Sequence, residues 1–243
     1  SWVNAGSSAT SQVCFVNELV GFACSFEGNL DKTTDGGITW TRVFDRIESR
    51  VYDMYFYDSL IGWTCGIPYI MQTRDGGKTW TQQWLERDGT QLWGISFIDS
   101  LNGWVVGHNA RVLHTTDGGK NWTRQTVPEA HYHDVFFIDS LFGWASGASS
   151  HLIYTSDGGI NWNIANVPEP TFVVNSIVFI DSLNGWAVGT GGKIISSTDG
   201  GRNWVFQEGF TDSHLFTLWA LDSKNLWAGG WFGTLVRTNN GGQ

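Results

Sequence analysis

The chain has 243 residues, of which 41% are hydrophobic and 15% aromatic, and it contains 15 tryptophans and 31 glycines. The 14 Lys and Arg residues stand against 23 Asp and Glu residues, and the resulting formal charge of -9 argues against binding to nucleic acid or to an anionic membrane surface. The apolar fraction suffices for a buried core, and no apolar run is long enough for a transmembrane span. The high tryptophan content is the feature to explain.

Two sequence tags recur in the same order along the chain. The first tag reads Thr/Ser-x-Asp-Gly-Gly-x-x-Trp, and its third position is occupied in turn by Asp35, Asp75, Asp117, Asp157, Asp199 and Asn240. The second tag reads Phe-x-Asp-Ser-Leu-x-Gly-Trp, and its copies end at Phe22, Trp63, Trp104, Trp144, Trp186 and Trp227. Neighbouring copies of the first tag are 40 to 42 residues apart, the length of one four-stranded propeller blade. The pattern predicts an all-β chain that forms a single six-bladed β-propeller.

The third repeat illustrates the predicted blade. Residues 92–98 form a nearly continuous apolar run, and further strands are predicted at 104–107, 112–116 and 121–125 with turn or loop residues between them, which together make a four-stranded antiparallel meander. In the first tag the glycine pair permits positive φ, the aspartate accepts hydrogen bonds from the turn amides, and the tryptophan packs beneath the turn. The tag aspartates are therefore predicted to be structural. Eleven of the 15 tryptophans belong to the two tags, and Trp219 is expected inside an inner strand.

The repeats use the whole sequence as one domain. The predicted blades are residues 5–43, 44–84, 85–126, 127–166, 167–207, and 208–243 together with 1–4. The last copy of the first tag breaks off at Gln243, and Ser1-Trp2 would complete it. The N-terminal strand at residues 2–4 is therefore expected to be the outer strand of the last blade and to close the ring non-covalently.

The two tags resemble those of a known family. The first tag resembles the Asp box, or bacterial neuraminidase repeat, and its pairing with the second tag is similar to the propellers of the photosystem II assembly and stability factor family. The resemblance covers essentially all 243 residues. It implies a propeller fold, whereas Asp boxes occur in enzymes, lectins and scaffolds alike. Many relatives are secreted proteins of non-photosynthetic bacteria, which implies a secreted or periplasmic bacterial location.

Positions that differ between the repeats are the candidate binding site. They lie where the inner strands and the loops after the second strands are expected to surround the mouth of the central pore. Aromatic faces mixed with polar and charged groups suit a glycan or a small polar ligand, and the predicted partner at this loop face is a glycan or a protein. The simpler alternative is that these side chains only fill the pore. The predicted ligand-binding residues are Arg50, Tyr52, Asp53, Trp93, His133, Asp134, Asn175, His214, Phe216 and Trp231.

The preferred function is a non-catalytic recognition or scaffold module, with a sialidase-like glycoside hydrolase and a structural spacer domain as alternatives. Sialidases also combine six blades with Asp boxes, but their Phe/Tyr-Arg-Ile-Pro segment is missing, and residues 45–48 are the nearest match. Asp53 and Asp134 are the carboxylates that a glycosidase mechanism could use. His131 and His133 are suitable residue types for a metal, yet we predict no metal, no cofactor and no catalytic residue. The protein is expected to be a monomer.

Three cysteines lie in predicted strands. Counting back from a turn at residues 17–21 places Cys14 opposite Cys24 in the first hairpin, where a cross-strand disulfide is one outcome and two free thiols are the other. Cys65 occupies the same position one repeat later and is expected to be a small buried residue.

Overall fold

A computed structural model describes residues 11–47, 50–85, 88–169, 171–208 and 211–242. It contains six antiparallel sheets, one for each repeat, and in each sheet the strands lie side by side in sequence order. The first three sheets consist of β1 (Gln12–Phe15), β2 (Gly21–Cys24), β3 (Leu30–Thr33) and β4 (Thr41–Phe44); β5 (Arg50–Phe56), β6 (Gly62–Ile67), β7 (Tyr69–Thr73) and β8 (Thr81–Leu85); and β9 (Leu92–Phe97), β10 (Gly103–Gly107), β11 (Arg111–Thr115) and β12 (Thr123–Arg124).

The last three sheets follow the same plan. They consist of β13 (Tyr132–Phe137), β14 (Gly143–Gly147), β15 (Leu152–Thr155) and β16 (Asn163–Ile164); β17 (Val174–Phe179), β18 (Gly185–Gly189), β19 (Ile194–Ser197) and β20 (Val205–Phe206); and β21 (Leu215–Ala220), β22 (Leu226–Gly230) and β23 (Leu235–Thr238). The loop after the second strand contains a short 3-10 turn in each of these sheets, at Ala148–Ser150, Thr190–Gly192 and Trp231–Gly233.

This architecture is the predicted all-β, six-bladed propeller of antiparallel blades. The sixth sheet has three strands among the described residues, and the strand predicted at residues 1–4 to complete it lies outside them. The chain divides into two compact units, one formed by 1–105 and 113–123 and the other by 106–112 and 124–243. Within the described part of the chain, no helix combines the length and apolarity needed to cross a membrane.

The turn encoded by the first tag has the predicted hydrogen-bond network. In the third repeat, the Thr115 hydroxyl donates to Asp117 Oδ1 at 2.9 Å and accepts the Gly119 amide at 2.9 Å. Asp117 Oδ1 also accepts a hydrogen bond from the backbone amide of Asn121 at 2.9 Å. Gly118 and Gly119 have φ values of +74° and +91°, which few other residues adopt. These contacts confirm that the tag aspartate is structural.

The tryptophan that ends the second tag joins its blade to the next one in the second, fourth and fifth repeats. Trp63 stacks on Phe97 with ring centroids 3.8 Å apart, and its Nε1 donates to Gly118 O at 3.2 Å. Trp144 repeats this arrangement on Phe179 and Gly200 in the second unit. Because one indole contacts both a strand and a box turn of the following blade, the two tags act together at each such interface.

Two local predictions need correction. Cys14 lies opposite Phe22, whereas Cys24 lies opposite Gln12, because the hairpin turn begins one residue earlier than expected and Val16 N donates to Val20 O. All three cysteines are free thiols. Trp219 lies in β21 as predicted, but 57% of its surface is exposed.

Candidate functional site

The predicted residues of the first unit form an aromatic ladder at the start of β5 and β9. Tyr52 and Trp93 stack with ring centroids 4.8 Å apart and an interplanar angle of 7°. Phe26, from the loop after β2, packs edge-on against Tyr52 at 5.2 Å, and the Arg50 guanidinium lies over the Phe26 ring at 5.6 Å. Comparison of the repeats did not select Phe26 as a candidate residue. Phe26 and its neighbour Glu27 lie in the loop after β2, whose sequence differs between the repeats. The structure thus brings three of the predicted residues together in this ladder.

The Tyr52 hydroxyl is held within the ladder. It donates to Gln91 Oε1 at 3.3 Å, and burial raises the pKa of Tyr52 while the nearby Arg50 charge opposes that shift. The phenol is therefore neutral at physiological pH. Its stacked face is covered by Trp93, so the ladder offers a ligand mainly the exposed Phe26 ring and the Arg50 side chain.

Asp53 and Asp134 form equivalent bridges between neighbouring blades. Asp53 Oδ1 accepts the Met54 amide at 2.8 Å, and its Oδ2 accepts the Ile95 amide of the next blade at 2.9 Å. Asp134 accepts the Val135 amide at 2.8 Å and the Ile177 amide at 2.9 Å in the same way. Burial raises the pKa of Asp134 to about 6. Both carboxylates thus satisfy backbone amides of the scaffold.

Two amide side chains also bridge neighbouring blades, Gln12 from the position of the two aspartates and Asn175 from one residue earlier. Gln12 Nε2 donates to Tyr52 O at 3.2 Å, and Asn175 Nδ2 donates to Leu215 O at 2.7 Å. Together with Asp53 and Asp134, these residues are called the blade clips below. The clips give a structural reason for the polar diversity of the first strands, because each side chain matches a backbone group of the following blade.

Three histidines lie together in the second unit. The rings of His108 and His131 are 4.6 Å apart, those of His108 and His133 are 6.3 Å apart, and His131 Nδ1 accepts the Asn109 amide at 3.2 Å. Burial, assisted by the other two imidazoles, lowers the pKa of His133 to about 4. At neutral pH His133 is therefore uncharged. Among the residues that the structure describes, no group of His, Cys, Asp and Glu has a geometry suited to a metal ion.

A second aromatic group lies on the sixth blade and is called the aromatic cap; its members are His214, Phe216, Trp231 and Phe232. The Trp231 ring lies 4.4 Å from His214, 5.5 Å from Phe216 and 6.2 Å from Phe232. His214 Nδ1 accepts the Gly191 amide at 2.8 Å, which ties this cap residue to the loop of the fifth blade. The exposed fractions are 50% for Trp231 and 95% for Phe232.

Phe232 combines this exposure with an unfavourable backbone conformation. Its φ is +57°, and the equivalent residues Ser149 and Gly191 of the two preceding blades have φ of +52° and +68°, so Phe232 is the bulkiest of the three residues that this loop holds in the left-handed region. A bulky residue in the left-handed region costs about 1–2 kcal/mol relative to a right-handed conformation. Strain of this kind at an exposed aromatic residue is typical of a functional position. The sequence already distinguishes this loop, because Trp231-Phe232-Gly233 occupies the position of Thr190-Gly191-Gly192 in the preceding repeat.

The sequence matches one described protein family. Residues 38–130 and 125–208 match the model of the photosynthesis system II assembly factor YCF48. The chain belongs to the YCF48 family. Among curated proteins, none matches the sequence.

Solved structures confirm the fold. YCF48 from Cyanidioschyzon merolae shares 16% identity over 96% of this chain and 97% of its own, with a TM-score of 0.57. YCF48 bound to a D1 peptide shares 18% identity over 94% of this chain and 92% of its own, with a TM-score of 0.53. A streptogramin B lyase structure gives a TM-score of 0.75 at 14% identity, over 90% of this chain and 79% of the lyase. Structural likeness at such low identity reports the propeller fold alone.

The YCF48 match and the aromatic cap occupy different parts of the chain. The matched residues end at 208 and include the blade clips Asp53, Asp134 and Asn175. The cap residues all follow that point, from His214 onward. The family match therefore covers Arg50, Tyr52 and Trp93 of the aromatic ladder as well as these clips, whereas the cap lies outside it.

Proposed function

We propose that this protein is a non-catalytic, protein-binding propeller that docks an exposed peptide segment of its partner on the aromatic cap. The observation that carries this proposal is Phe232, which is 95% exposed at φ +57° beside the half-exposed Trp231. Aromatic residues with free faces dominate the binding energy of many protein interfaces. Family membership supports a role in assembly, and one YCF48 structure holds a peptide of the D1 protein.

The chemistry of the cap indicates which side chains the partner presents. Trp231 and Phe232 provide apolar ring faces, and the chain as a whole has a formal charge of -9. Ring faces attract apolar groups by burial and cations through the ring quadrupole. The proposed partner segment therefore carries an apolar side chain flanked by Lys or Arg.

The glycoside hydrolase alternative gains no support from the carboxylates it would use. Asp53 and Asp134 each accept two backbone amides, and these bonds lie within the scaffold. A glycan could stack on the cap rings, so glycan binding is the competing outcome of the test below. The secreted or periplasmic location and the monomeric state stay predictions.

The test measures peptide binding by wild type and by Phe232→Gly. A displayed peptide library and a D1 peptide are offered to the wild-type protein, and the dissociation constant of the best binder is determined by calorimetry. We expect Phe232→Gly to weaken binding at least about tenfold, because it removes an exposed anchor. Glycine accepts positive φ, so this variant is expected to keep or raise the thermal midpoint.

Ile160→Ala is the matched control. Ile160 is also a highly exposed apolar residue of the second unit, but it lies in the box turn of the fourth repeat, away from the cap loop. Its substitution is expected to leave the affinity unchanged. Equal affinity of wild type and Phe232→Gly, or wild-type binding to a glycan array and to no peptide, would overturn the proposal.

A further inference from the structure

A cavity of about 700 Å³ opens at the end of the outer strand of the third blade. Its lining comes from the turn after β10, at Asn109 and Ala110, and from residues 124–127 and 129–131, which lead from β12 towards β13. All of these residues belong to one compact unit. The volume lies in the range of small-molecule sites. No residue of the aromatic cap or of the blade clips lines this cavity, so it is separate from the surface proposed to dock a peptide.

One wall of the cavity is a turn with an unfavourable backbone conformation. Asn109 and Ala110 have φ values of +55° and +53°. Asparagine tolerates the left-handed region, whereas alanine adopts it rarely. The fifth and sixth blades have glycine at the position of Ala110, namely Gly192 and Gly233. A conformation of this kind is held by the surrounding structure and is most common at functional sites.

Two side chains of the cavity hold the turn in place. Arg124 Nη2 donates to Asn109 O at 3.3 Å and to Ala110 O at 3.5 Å. His131 Nδ1 accepts the Asn109 amide at 3.2 Å, and the Ala110 amide donates to Ala130 O at 2.8 Å. The turn in return fixes the positions of the guanidinium and the imidazole. The cavity therefore has a preformed wall that carries two polar side chains.

The loop before β13 is fixed as well. Tyr132 is fully buried, and its hydroxyl donates to Pro128 O at 2.9 Å. This bond anchors the loop that carries Glu129, whose side chain is exposed. Both segments that line the cavity are thus held by hydrogen bonds, which reduces the conformational entropy lost when a ligand binds.

The cavity offers both donors and acceptors of hydrogen bonds. The bonds that Arg124 makes through Nη2 leave the N–H donors on Nη1 and Nε for a ligand. Because His131 accepts through Nδ1, its neutral ring carries the proton on Nε2, which is a further donor. Glu129 supplies carboxylate oxygens as acceptors.

Arg124 and Glu129 line the same cavity without neutralising each other. In the ranges that the structure describes, neither side chain forms an ion pair, with the other or with a third residue. An anion bound at Arg124 would be repelled by Glu129, and a cation bound at Glu129 would be repelled by Arg124. A molecule that carries both charges satisfies both side chains at once. The two unpaired charges therefore indicate a zwitterion rather than a simple ion.

We infer that this cavity binds a small zwitterion with a carboxylate and an ammonium group, such as a free α-amino acid or a dipeptide. Arg124, together with Nε2 of His131, takes the carboxylate, and Glu129 takes the ammonium group. Charge-assisted hydrogen bonds of both kinds are among the stronger polar contacts in proteins. The inference is independent of the proposed function, because it involves neither the cap nor a protein partner.

The experiment is a calorimetric titration of the full chain with matched ligands. A panel of α-amino acids and dipeptides is compared with their N-acetyl derivatives, which lack the ammonium group, and with their amides, which lack the carboxylate. The zwitterions are expected to bind at least about tenfold more tightly than either derivative, because each derivative leaves one charge of the cavity without a partner. The tightest binder identifies which of the two ligand classes the cavity prefers. Equal affinity of zwitterions and derivatives, or binding of none of them, would overturn the inference.

Glu129→Gln tests the role assigned to the carboxylate. The side chain is exposed, so the variant is expected to fold like wild type. It should weaken binding of the best zwitterion at least about fivefold and leave that of its N-acetyl derivative unchanged, since the derivative has no ammonium group. Asp212→Asn is the matched control, because it removes an exposed carboxylate of the same unit outside the cavity and should change neither affinity. Wild-type affinity of Glu129→Gln for the zwitterion contradicts the inference.

Discussion

Trp144→Ala is expected to lower the free energy of unfolding by about 3–5 kcal/mol. The Trp144 indole is 1% exposed, stacks on Phe179 with ring centroids 3.5 Å apart, and donates from Nε1 to Gly200 O at 2.8 Å. Truncation leaves a cavity between two blades and removes the donor to a buried carbonyl. Few single substitutions in this chain should cost as much, because one side chain contributes both to the stack and to the box turn of the next blade.

The measurement is chemical denaturation followed by circular dichroism, with two comparison variants. Trp144→Phe keeps an aromatic ring on Phe179 and loses the indole donor, so a smaller loss of about 1–3 kcal/mol is expected. Phe206→Ala removes a ring that is 43% exposed and should cost clearly less than Trp144→Ala. A Trp144→Ala variant within about 1 kcal/mol of wild type would contradict the role assigned to the second tag.

Asp134 and His133 are expected to give opposite pH dependences of stability in the same window. Burial raises the pKa of Asp134 to about 6 from an ordinary value of 3.8, so the folded state binds its proton more tightly than the unfolded state. The contribution of Asp134 to the free energy of unfolding therefore falls by up to about 3 kcal/mol as the pH rises from about 4 to 6. Burial lowers the pKa of His133 from 6.5 to about 4, so its contribution rises with pH over that range.

Single substitutions should separate the two effects. In His133→Asn only the effect of Asp134 is left, so the free energy of unfolding is expected to decrease from about pH 4 to 6. In Asp134→Asn only the effect of His133 is left, so the free energy of unfolding is expected to increase over the same range. Denaturant unfolding at a series of pH values measures both, with wild type as the reference. His114→Asn is a comparison variant in the first unit, because burial alone lowers the pKa of His114. Parallel pH profiles for wild type and both principal variants would contradict the assigned pKa shifts.

The repeats and their box turns could be predicted from the sequence because their chemistry is local. The Thr115 hydroxyl, the Asp117 carboxylate and the glycine pair make their contacts within a few residues of one another, so the tag already contains both partners of each bond. The hairpin of Cys14 could not be predicted as reliably. Its register depends on where the turn begins, and a turn displaced by one residue changes which residues face each other.

The candidate site was harder to predict, because a polar side chain on the first strand of a blade can face either a ligand or a backbone group of the next blade. Asp53 looks the same in the sequence whether it faces a ligand or the amide of Ile95, and only the position of the next blade distinguishes the two. Trp93 and Trp231 were selected for their aromatic faces, but stacking on Tyr52 covers one face of Trp93, whereas half of Trp231 is exposed. The importance of Phe232 depends on backbone conformation, which the residue type alone does not report.

The blade clips have a consequence for how nearly identical repeats find their correct neighbours during folding. Gln12 and Asn175 offer an amide donor to a carbonyl of the following blade, whereas Asp53 and Asp134 offer a carboxylate acceptor to an amide. An exchange that placed a clip carboxylate opposite a backbone carbonyl such as Tyr52 O or Leu215 O would leave that charge without a donor. Repeats with the same tags would otherwise be prone to mispairing. The tags thus encode the shape that all blades share, and the clips distinguish blades that offer an amide donor from blades that offer a carboxylate acceptor.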